Sequence, residues 1–271
     1  MPANTNDSTK KTNGNISFKD SIKTKLISVL LAVAAIPLII AVIVSYQTST
    51  SKAKDDALNL LESDAKVVEG KYSTLVQQNI LALQTCASAQ STIDFIKSPN
   101  EKSKEVVLRQ LDDINSNIND GNNNTIVSLP SGDQIARADR KDPTNIADRA
   151  YFQECISTKN VVASEIVVSK ANGNRITIII VPVLDPASGE LIGTVQRAFD
   201  LEILHSFLAD NVKNGYIVDK AGTVAAHSQF TITPEDEPIV HTDEEYMTSS
   251  LESNTFESVI DGKLTYTSWI K

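Results

Sequence analysis

The chain is poor in cysteine, histidine and aromatic residues, and its excess charge is of one sign. Of its 271 residues, two are Cys, three are His and 5% are aromatic, and the formal net charge is −9. Two cysteines exclude a disulfide-dense secreted scaffold and a four-cysteine zinc site. His205, His227 and His241 show no metal-ligand spacing, so no metal site is expected. The acidic balance argues against nucleic-acid binding, which needs a basic face.

Sequence motifs for catalysis are also missing. The chain contains no G-x-S-x-G nucleophile elbow and no G-x-x-x-x-G-K-[ST] or G-x-G-x-x-G phosphate loop. We therefore expect a protein that is not an enzyme and that holds no cofactor. The balance of 41% hydrophobic and 22% charged residues is that of a globular chain.

One continuous apolar segment, residues 26–46, is long enough to cross a bilayer as a helix. The flank before it is net positive and the remainder of the chain is net negative. Because positive flanks stay in the cytoplasm, residues 1–25 are expected inside and residues 47–271 outside the plasma membrane. A cleaved signal peptide is the alternative, but its apolar region would be shorter and would end in a small-x-small site.

Apolar residues at alternating spacings of three and four, from Leu58 to Ile93, predict a long helix that continues from the membrane segment. One interpretation is a stalk that forms a homodimer, and the other is an amphipathic helix lying on its own sheet. We expect both interpretations to apply, each to a different stretch of the helix. Asn79 lies on the apolar stripe, where it would either fix the register or lie at a solvated edge.

Beyond Pro99 the pattern predicts a helix over 102–119 and then changes to the alternation of strands. A short helix over 148–158, capped by Asp148, and another over 200–209 interrupt the strands. Five antiparallel strands with helices on one face give an α+β module. They are predicted over 125–129, 134–138, 161–169, 175–184 and 191–199.

A smaller copy of this pattern follows. Strands are predicted over 215–219, 223–227 and 263–270, and a helix is predicted over 248–260. A three-stranded sheet would leave an open edge, so we expect an incomplete module and a chain that is a fragment or a truncated product.

Three stretches carry a family signature in addition to the anchor and the stalk helix. They are DRAYF at 148–152, VVASEIVVSKANGNRITIIIVPVLDPASGELIGTVQRAFDLEIL at 161–204, and GYIVDKAGTVAAHS at 215–228. Over residues 20–271 the chain resembles the double-Cache extracytoplasmic sensor of bacterial methyl-accepting chemotaxis proteins.

The resemblance implies two stacked PAS-like modules on a long helix, of which the membrane-distal one binds a small molecule. It divides the chain into a cytoplasmic tail, a transmembrane helix, a stalk with the distal module, and a truncated proximal module. Their predicted bounds are 1–25, 26–46, 47–211 and 212–271.

The resemblance also implies a ligand site. Arg149 matches an arginine that holds a carboxylate in family members that sense amino acids, and Asp200 matches the acid that holds the ammonium group. Tyr151 stands where a Trp is expected and Phe152 where a Tyr is expected. Thr144 replaces an upstream Tyr, so two hydroxyl groups are missing from the family pattern. We expect a small zwitterionic or anionic ligand. The alternative is that Arg149 pairs with a surface acid and Asp200 only caps its helix.

Three functions remain open: the input of a chemoreceptor, the input of a histidine kinase or cyclic-dinucleotide enzyme, and a membrane-tethered adhesion or scaffold domain. The expected partners are a small-molecule ligand, the lipid bilayer and a second copy of the chain, with no nucleic acid. Cys86 and Cys155 could form a disulfide outside the cell, but two buried free thiols are the preferred interpretation.

Overall fold

The computed structural model describes most of the chain and divides it into two compact units, residues 1–59 and 60–271. The side chains of Phe199, Asp200 and Ile260 lie outside the description. The described residues are 22–118, 124–170, 173–233, 235–260 and 262–271.

The first unit contains the beginning of helix α1 (Ile22–Ser88). Its most apolar 18-residue window has a mean hydropathy of 3.1 and is not buried against any other part of the described chain. By length and composition this is one helix able to cross a membrane. Pro37 lies inside the helix, a position that transmembrane helices tolerate.

Five further helices and ten strands follow in the described residues. The helices are α2 (Gln90–Lys97), α3 (Glu101–Ile118), α4 (Ala150–Thr158), α5 (Leu201–Asn211) and α6 (Glu245–Thr248). The first strands are β1 (Thr125–Ser128), β2 (Gln134–Arg137), β3 (Val162–Ala163), β4 (Val167–Val168), β5 (Arg175–Leu184) and β6 (Leu191–Asp200). The remaining strands are β7 (Tyr216–Val218), β8 (Val224–His227), β9 (Ser253–Ile260) and β10 (Lys263–Ile270).

The first six strands form one antiparallel sheet in the order β2-β1-β6-β5-β3, with β4 also paired to β5. Strand β5 reads RITIIIVPVL, a run of branched residues that suits a pleated, buried surface. Pro182 faces Thr194 of β6 and lies beyond the residues of β5 that β3 and β4 pair with. Its missing N–H therefore interrupts no ladder on that side.

The two faces of this sheet hold two separate apolar cores, as the alternation of side chains along a strand requires. Ile179, Val181 and Val183 of β5 pack with residues of α1, α2 and α3. Ile176, Ile178 and Ile180 pack with α4 on the other face. Helices thus cover both faces, and the prediction of helices on one face only is wrong.

Two local predictions around α4 also need correction. The N-cap residue of α4 is Arg149, in extended conformation and without a side-chain cap hydrogen bond. Asp148 does not cap the helix, because it pairs with Lys170. The single strand predicted over 161–169 is two short strands, β3 and β4.

The rest of the chain forms two two-stranded sheets, β7-β8 and β10-β9. The helix predicted over 248–260 is wrong: strand β9 lies there and pairs along its length with β10. Residues 253–260 include Thr255, Phe256 and Val259, which favour an extended strand next to a hairpin turn at Gly262, where φ is +73°. The described part of this region has four strands, one more than the sequence indicated.

Candidate functional site

A small cavity lies on the α4 side of the six-stranded sheet. Its walls come from β1, β2, β4, β5, β6 and the segment between β2 and α4. The centres of water molecules can occupy about 50 Å³ of it, several times the ~10–15 Å³ that a single water needs. Among its described lining residues, Arg137, Lys141, Arg149 and Lys170 are basic, and Asp139 is acidic. The cavity is therefore suited to a small ligand that carries negative charge.

Arg149 reaches this cavity from the N-terminus of α4. Its Nη2 donates a hydrogen bond of 2.9 Å to the carbonyl of Val168. The side chain is half-buried, and no carboxylate in the described part of the chain forms an ion pair with it. The pairing of Arg149 with a surface acid, considered from the sequence, is thus absent from the described residues. Its guanidinium therefore retains donors that a ligand carboxylate could use.

Tyr151 lines the cavity as well, whereas Phe152 does not. Burial raises the pKa of Tyr151 to about 12, against the lowering influence of the Arg149 charge and the Gln196 side chain. The phenol is thus neutral at physiological pH and can donate a hydrogen bond. Phe152 is 1% exposed and packs in the apolar core with Cys155.

The backbone of Asp200 ends β6 and pairs with Ile176, a residue of the cavity wall. The side chain of Asp200 lies outside the description, so the predicted contact with an ammonium group remains a prediction. Thr144, at the position of the upstream family tyrosine, also lines the cavity. Its N–H and hydroxyl both donate to Gln134 Oε1, at 3.0 and 3.2 Å.

A buried ionic cluster at the cavity wall is the main feature that sequence reasoning missed. Arg137 donates from Nε and Nη2 to the two carboxylate oxygens of Asp139, at 3.0 and 2.6 Å, and from Nη1 to Gln134 Oε1 at 2.7 Å. Burial opposes ionisation of Asp139, but the hydrogen bonds from Arg137 and the Lys141 backbone outweigh it and lower the pKa of the carboxyl group. The alternation of β2 could have indicated that Gln134 and Arg137 differ in environment, but not that both are buried.

The opposite face of β6 connects this wall to α1. Gln196 and Ala198 line the cavity, whereas Arg197 between them is fully buried on the other side. Arg197 Nη1 donates to Asn79 Oδ1 of α1, and Nε donates to Asn115 Oδ1 of α3 at 3.3 Å. Asn79 is fully buried, so the prediction of a solvated edge position is wrong.

Both cysteines are buried and free, which confirms the preferred interpretation. Cys86 packs in the core on the α1 side and Cys155 in the core on the α4 side. Burial raises the pKa of Cys86 and raises that of Cys155 to about 12. In the described part of the chain no group of three His, Cys, Asp or Glu side chains has the arrangement of a metal site.

The described chain combines a long apolar helix, an antiparallel sheet with helices on both faces and a polar cavity on one side. Residues 45–269 match the model of the Cache domain. The chain therefore belongs to the Cache domain family. No curated protein matches its sequence.

Solved structures share this fold at low sequence identity. The ligand-binding domain of the Pseudomonas fluorescens chemoreceptor CtaA, in complex with L-isoleucine, is 18% identical, with a TM-score of 0.58 over 81% of this chain and 87% of that one. The ligand-binding domain of the Pseudomonas aeruginosa chemoreceptor PctC, in complex with GABA, is 19% identical, with a TM-score of 0.53 over 64% and 77%. The sensor domain of the V. cholerae histidine kinase DctB is 20% identical, with a TM-score of 0.53 over 65% and 68%. The fold is thus that of chemoreceptor and kinase sensor regions.

Proposed function

We propose that this chain is the extracytoplasmic sensing region of a bacterial transmembrane chemoreceptor, and that it binds a small anionic or zwitterionic molecule in the cavity beside α4. The observation that carries the proposal is the half-buried Arg149, which lines the cavity without a carboxylate partner in the described chain. A guanidinium in this situation is suited to bidentate binding of a carboxylate. The relatives CtaA and PctC were solved with amino-acid ligands, which supports a ligand of this size.

In this proposal the ligand contacts Arg149, Tyr151 and Asp200, and Phe152 supports the site from the core below. Helix α1 anchors the protein in the plasma membrane, with residues 1–25 in the cytoplasm and residues 47–271 outside. The positive flank of the apolar segment supports this orientation. Modification of single introduced cysteines at exposed positions by a membrane-impermeant thiol reagent would test it. Labelling only after cell lysis would contradict it.

We also propose that the receptor is a homodimer that forms through α1. Leu60, Val67 and Leu81 are between half and two-thirds exposed, and they are separated by multiples of seven residues. Their spacing puts them on one face of α1, away from Asn79, and such heptad spacing is typical of helix pairs. Under oxidising conditions, Val67→Cys is expected to cross-link two copies efficiently. Glu69→Cys, about 200° further around the helix, is the matched control and should not cross-link.

Ligand binding would be transmitted through β6. This strand contributes Gln196 and Ala198 to the cavity on one face and Arg197 to Asn79 of α1 on the other. A shift of α1 by about 1–2 Å is a typical step at helix interfaces. Binding can drive such a shift only if the ligand has different affinities for the two positions of the strand.

A thermal-shift screen of the full chain in lipid nanodiscs, against amino acids, amines, carboxylates and purines, tests the binding function. We expect at least one ligand to raise the apparent Tm, and Arg149→Ala to abolish that rise. The matched control is Arg109→Ala, because Arg109 is exposed on α3 outside the cavity. Unchanged hits in Arg149→Ala would refute the cavity assignment, and a screen without hits would favour an adhesion or scaffold domain.

A histidine kinase is the second candidate for the output connected to this region. Similarity to the DctB sensor domain supports a histidine kinase as an alternative to a chemoreceptor. Fusion of residues 1–271 to a chemoreceptor cytoplasmic region, followed by a swimming-bias assay, would test the chemotactic output. A ligand that binds but leaves the swimming bias unchanged would favour the kinase.

A further inference from the structure

We propose that the ligand of the cavity is a small dicarboxylate that carries a hydrogen-bond donor, a hydroxyl or an ammonium group, next to one carboxylate. Two cations without counter-ions and one buried oxygen without a donor come together at the cavity wall. The inference rests on the proposed function, since it names the ligand class of the same cavity.

The charges at the cavity wall divide into paired and unpaired groups. Arg137 is paired with Asp139 at 2.6 Å, and Lys170 is paired with Asp148 and also donates to the Asn145 carbonyl at 2.8 Å. The guanidinium of Arg149 and the ammonium group of Lys141 form no ion pair in the described part of the chain. One ligand carboxylate would compensate Arg149, and a second would compensate Lys141. A ligand with a single carboxylate, bound by Arg149, would leave Lys141 without a partner among the described side chains.

Lys141 and Arg149 would contribute unequally to ligand affinity because their side chains differ in exposure to solvent. Arg149 is half-buried, so its pairing with a carboxylate is weakly screened by salt. Lys141 is exposed, so its attraction for the second carboxylate should be weaker and should fall as ionic strength rises. The preference for two carboxylates is therefore expected to be strongest at low salt.

The unsatisfied oxygen belongs to Gln196. Its side chain is 2% exposed and lines the cavity. In the described chain no donor reaches Gln196 Oε1 with hydrogen-bond geometry. The side chain is nevertheless close enough to the Tyr151 hydroxyl to lower its pKa against the larger effect of burial. A buried acceptor without a donor is unfavourable, and a ligand hydroxyl or ammonium group would satisfy it.

The position of Gln196 relative to Arg149 indicates where on the ligand the donor should be. Arg149, Tyr151 and Gln196 line one cavity, and the centres of water molecules can occupy only about 50 Å³ of it. The carboxylate held by Arg149 and the donor received by Gln196 should therefore be close together, on neighbouring carbon atoms. Malate and aspartate have this arrangement, whereas succinate has both carboxylates and no donor. Lactate and alanine have one carboxylate and a donor.

The experiment is isothermal titration calorimetry of the full chain in nanodiscs with these five acids, at low and high salt. We expect malate or aspartate to bind at least about tenfold more tightly than succinate, lactate and alanine, because each of those lacks one group that the cavity would pair. High salt should reduce the advantage of malate over lactate more than that of malate over succinate.

Two variants test whether Lys141 and Gln196 cause the preference for malate over lactate and over succinate. Lys141→Gln should remove most of the advantage of malate over lactate, and Gln196→Met should remove most of the advantage of malate over succinate. The matched controls are Lys102→Gln and Gln78→Met, which change exposed side chains outside the cavity lining. Circular dichroism spectra and the apparent Tm identify any variant that fails to fold. For such a variant, Lys141→Met or Gln196→Glu replaces the measurement.

The outcomes separate this inference from the proposed function. If alanine binds as tightly as aspartate, or succinate as tightly as malate, the ligand class is wrong, but sensing through the cavity stands. The same holds if none of the five acids binds and another small molecule binds in an Arg149-dependent way. If no compound in the wider screen binds, both proposals fail.

Discussion

Arg197 of β6 donates a hydrogen bond from Nη1 to Oδ1 of Asn79 on α1, and neither side chain is exposed to solvent. A buried guanidinium is stable only where its surroundings supply acceptors. Asn79 keeps its own amide group satisfied by donating to the Leu75 carbonyl at 2.9 Å. This contact therefore joins the strand of the cavity wall to the long helix through a pair that is costly to disrupt.

Replacement of Asn79 by Leu is expected to lower the free energy of unfolding by about 1–3 kcal/mol, because Arg197 loses a buried acceptor. The double variant with Arg197→Met should recover part of this loss, since the charge is then gone as well. The apparent Tm of the full chain in mild detergent measures both effects. Gln78→Leu, at an exposed neighbouring position of α1, is the control. An additive double variant would show that the contact contributes nothing.

The turn between β1 and β2 depends on Gly132. Its φ is +85°, and an added Cβ would lie 2.4 Å from the backbone N of Ala147. We expect Gly132→Ala to displace the segment after residue 139 and to weaken ligand binding as well as stability. Gly173 is the matched control, because its φ is +77° but no atom of the described residues lies within 4 Å of an added Cβ.

Thermal melts and ligand titrations of both alanine variants measure the losses of stability and of binding. Gly132→Ala combines backbone strain with steric overlap, whereas Gly173→Ala introduces backbone strain alone. Gly173→Ala should cost about 1 kcal/mol, the usual penalty for a left-handed non-glycine residue. Gly132→Ala should cost clearly more than Gly173→Ala. Equal losses would mean that the Ala147 backbone moves aside freely.

The Arg137–Asp139 pair makes stability depend on acid pH. The pKa of Asp139 is lowered in the folded state, by hydrogen bonds that outweigh its burial. Its contribution is therefore present above the unfolded pKa of about 3.9 and is lost as the pH falls through the lower folded value. Asp139→Asn should destabilise the protein at neutral pH and flatten the loss of stability below about pH 4.

Unfolding midpoints between acid and neutral pH would measure this effect. Asp142→Asn, an exposed carboxylate three positions later with no ion pair in the described chain, should leave the pH profile unchanged. A profile of Asp139→Asn parallel to that of the wild type would contradict the assigned role of the pair.

Both thiols should resist modification in the folded protein. Burial raises the pKa of Cys86 and brings that of Cys155 to about 12, and the thiolate is the reactive form. At pH 8, Ellman's reagent should therefore react slowly with the native chain and with both cysteines after denaturation. Mass spectrometry after alkylation under denaturing, non-reducing conditions should find two modified thiols. A disulfide between Cys86 and Cys155 would instead leave none.

The regular strands could be predicted from the sequence because their residue patterns are local. Alternation and branched residues predicted the bounds of β5, which the structure reproduces. The 248–260 segment was misread as helical because its mixed polar and apolar residues fit both periods, and only pairing with β10 decides it. The covering of the second sheet face by α4 was also missed, because the side on which a short helix packs depends on a chain path that local periodicity does not encode.

The candidate site could be predicted only in part, because local patterns do not encode contacts between distant residues. Arg149 and Tyr151 stand in a short motif, and the structure brings both to one cavity. Arg137 and Gln196 have no local signal that separates a buried polar residue from a solvated one. Their burial depends on the register of β1 with β2 and with β6. Asn79 shows the same limit, because its buried partner is 118 positions away in the chain.

Strand β6 presents alternate residues to two different environments, with Gln196 and Ala198 toward the cavity and Arg197 toward α1. Substitutions at the cavity-facing positions can therefore change the cavity wall while the contact of Arg197 with α1 is preserved. If the chain senses a ligand as proposed, this one strand would allow ligand preference and the contact with α1 to diverge separately during evolution.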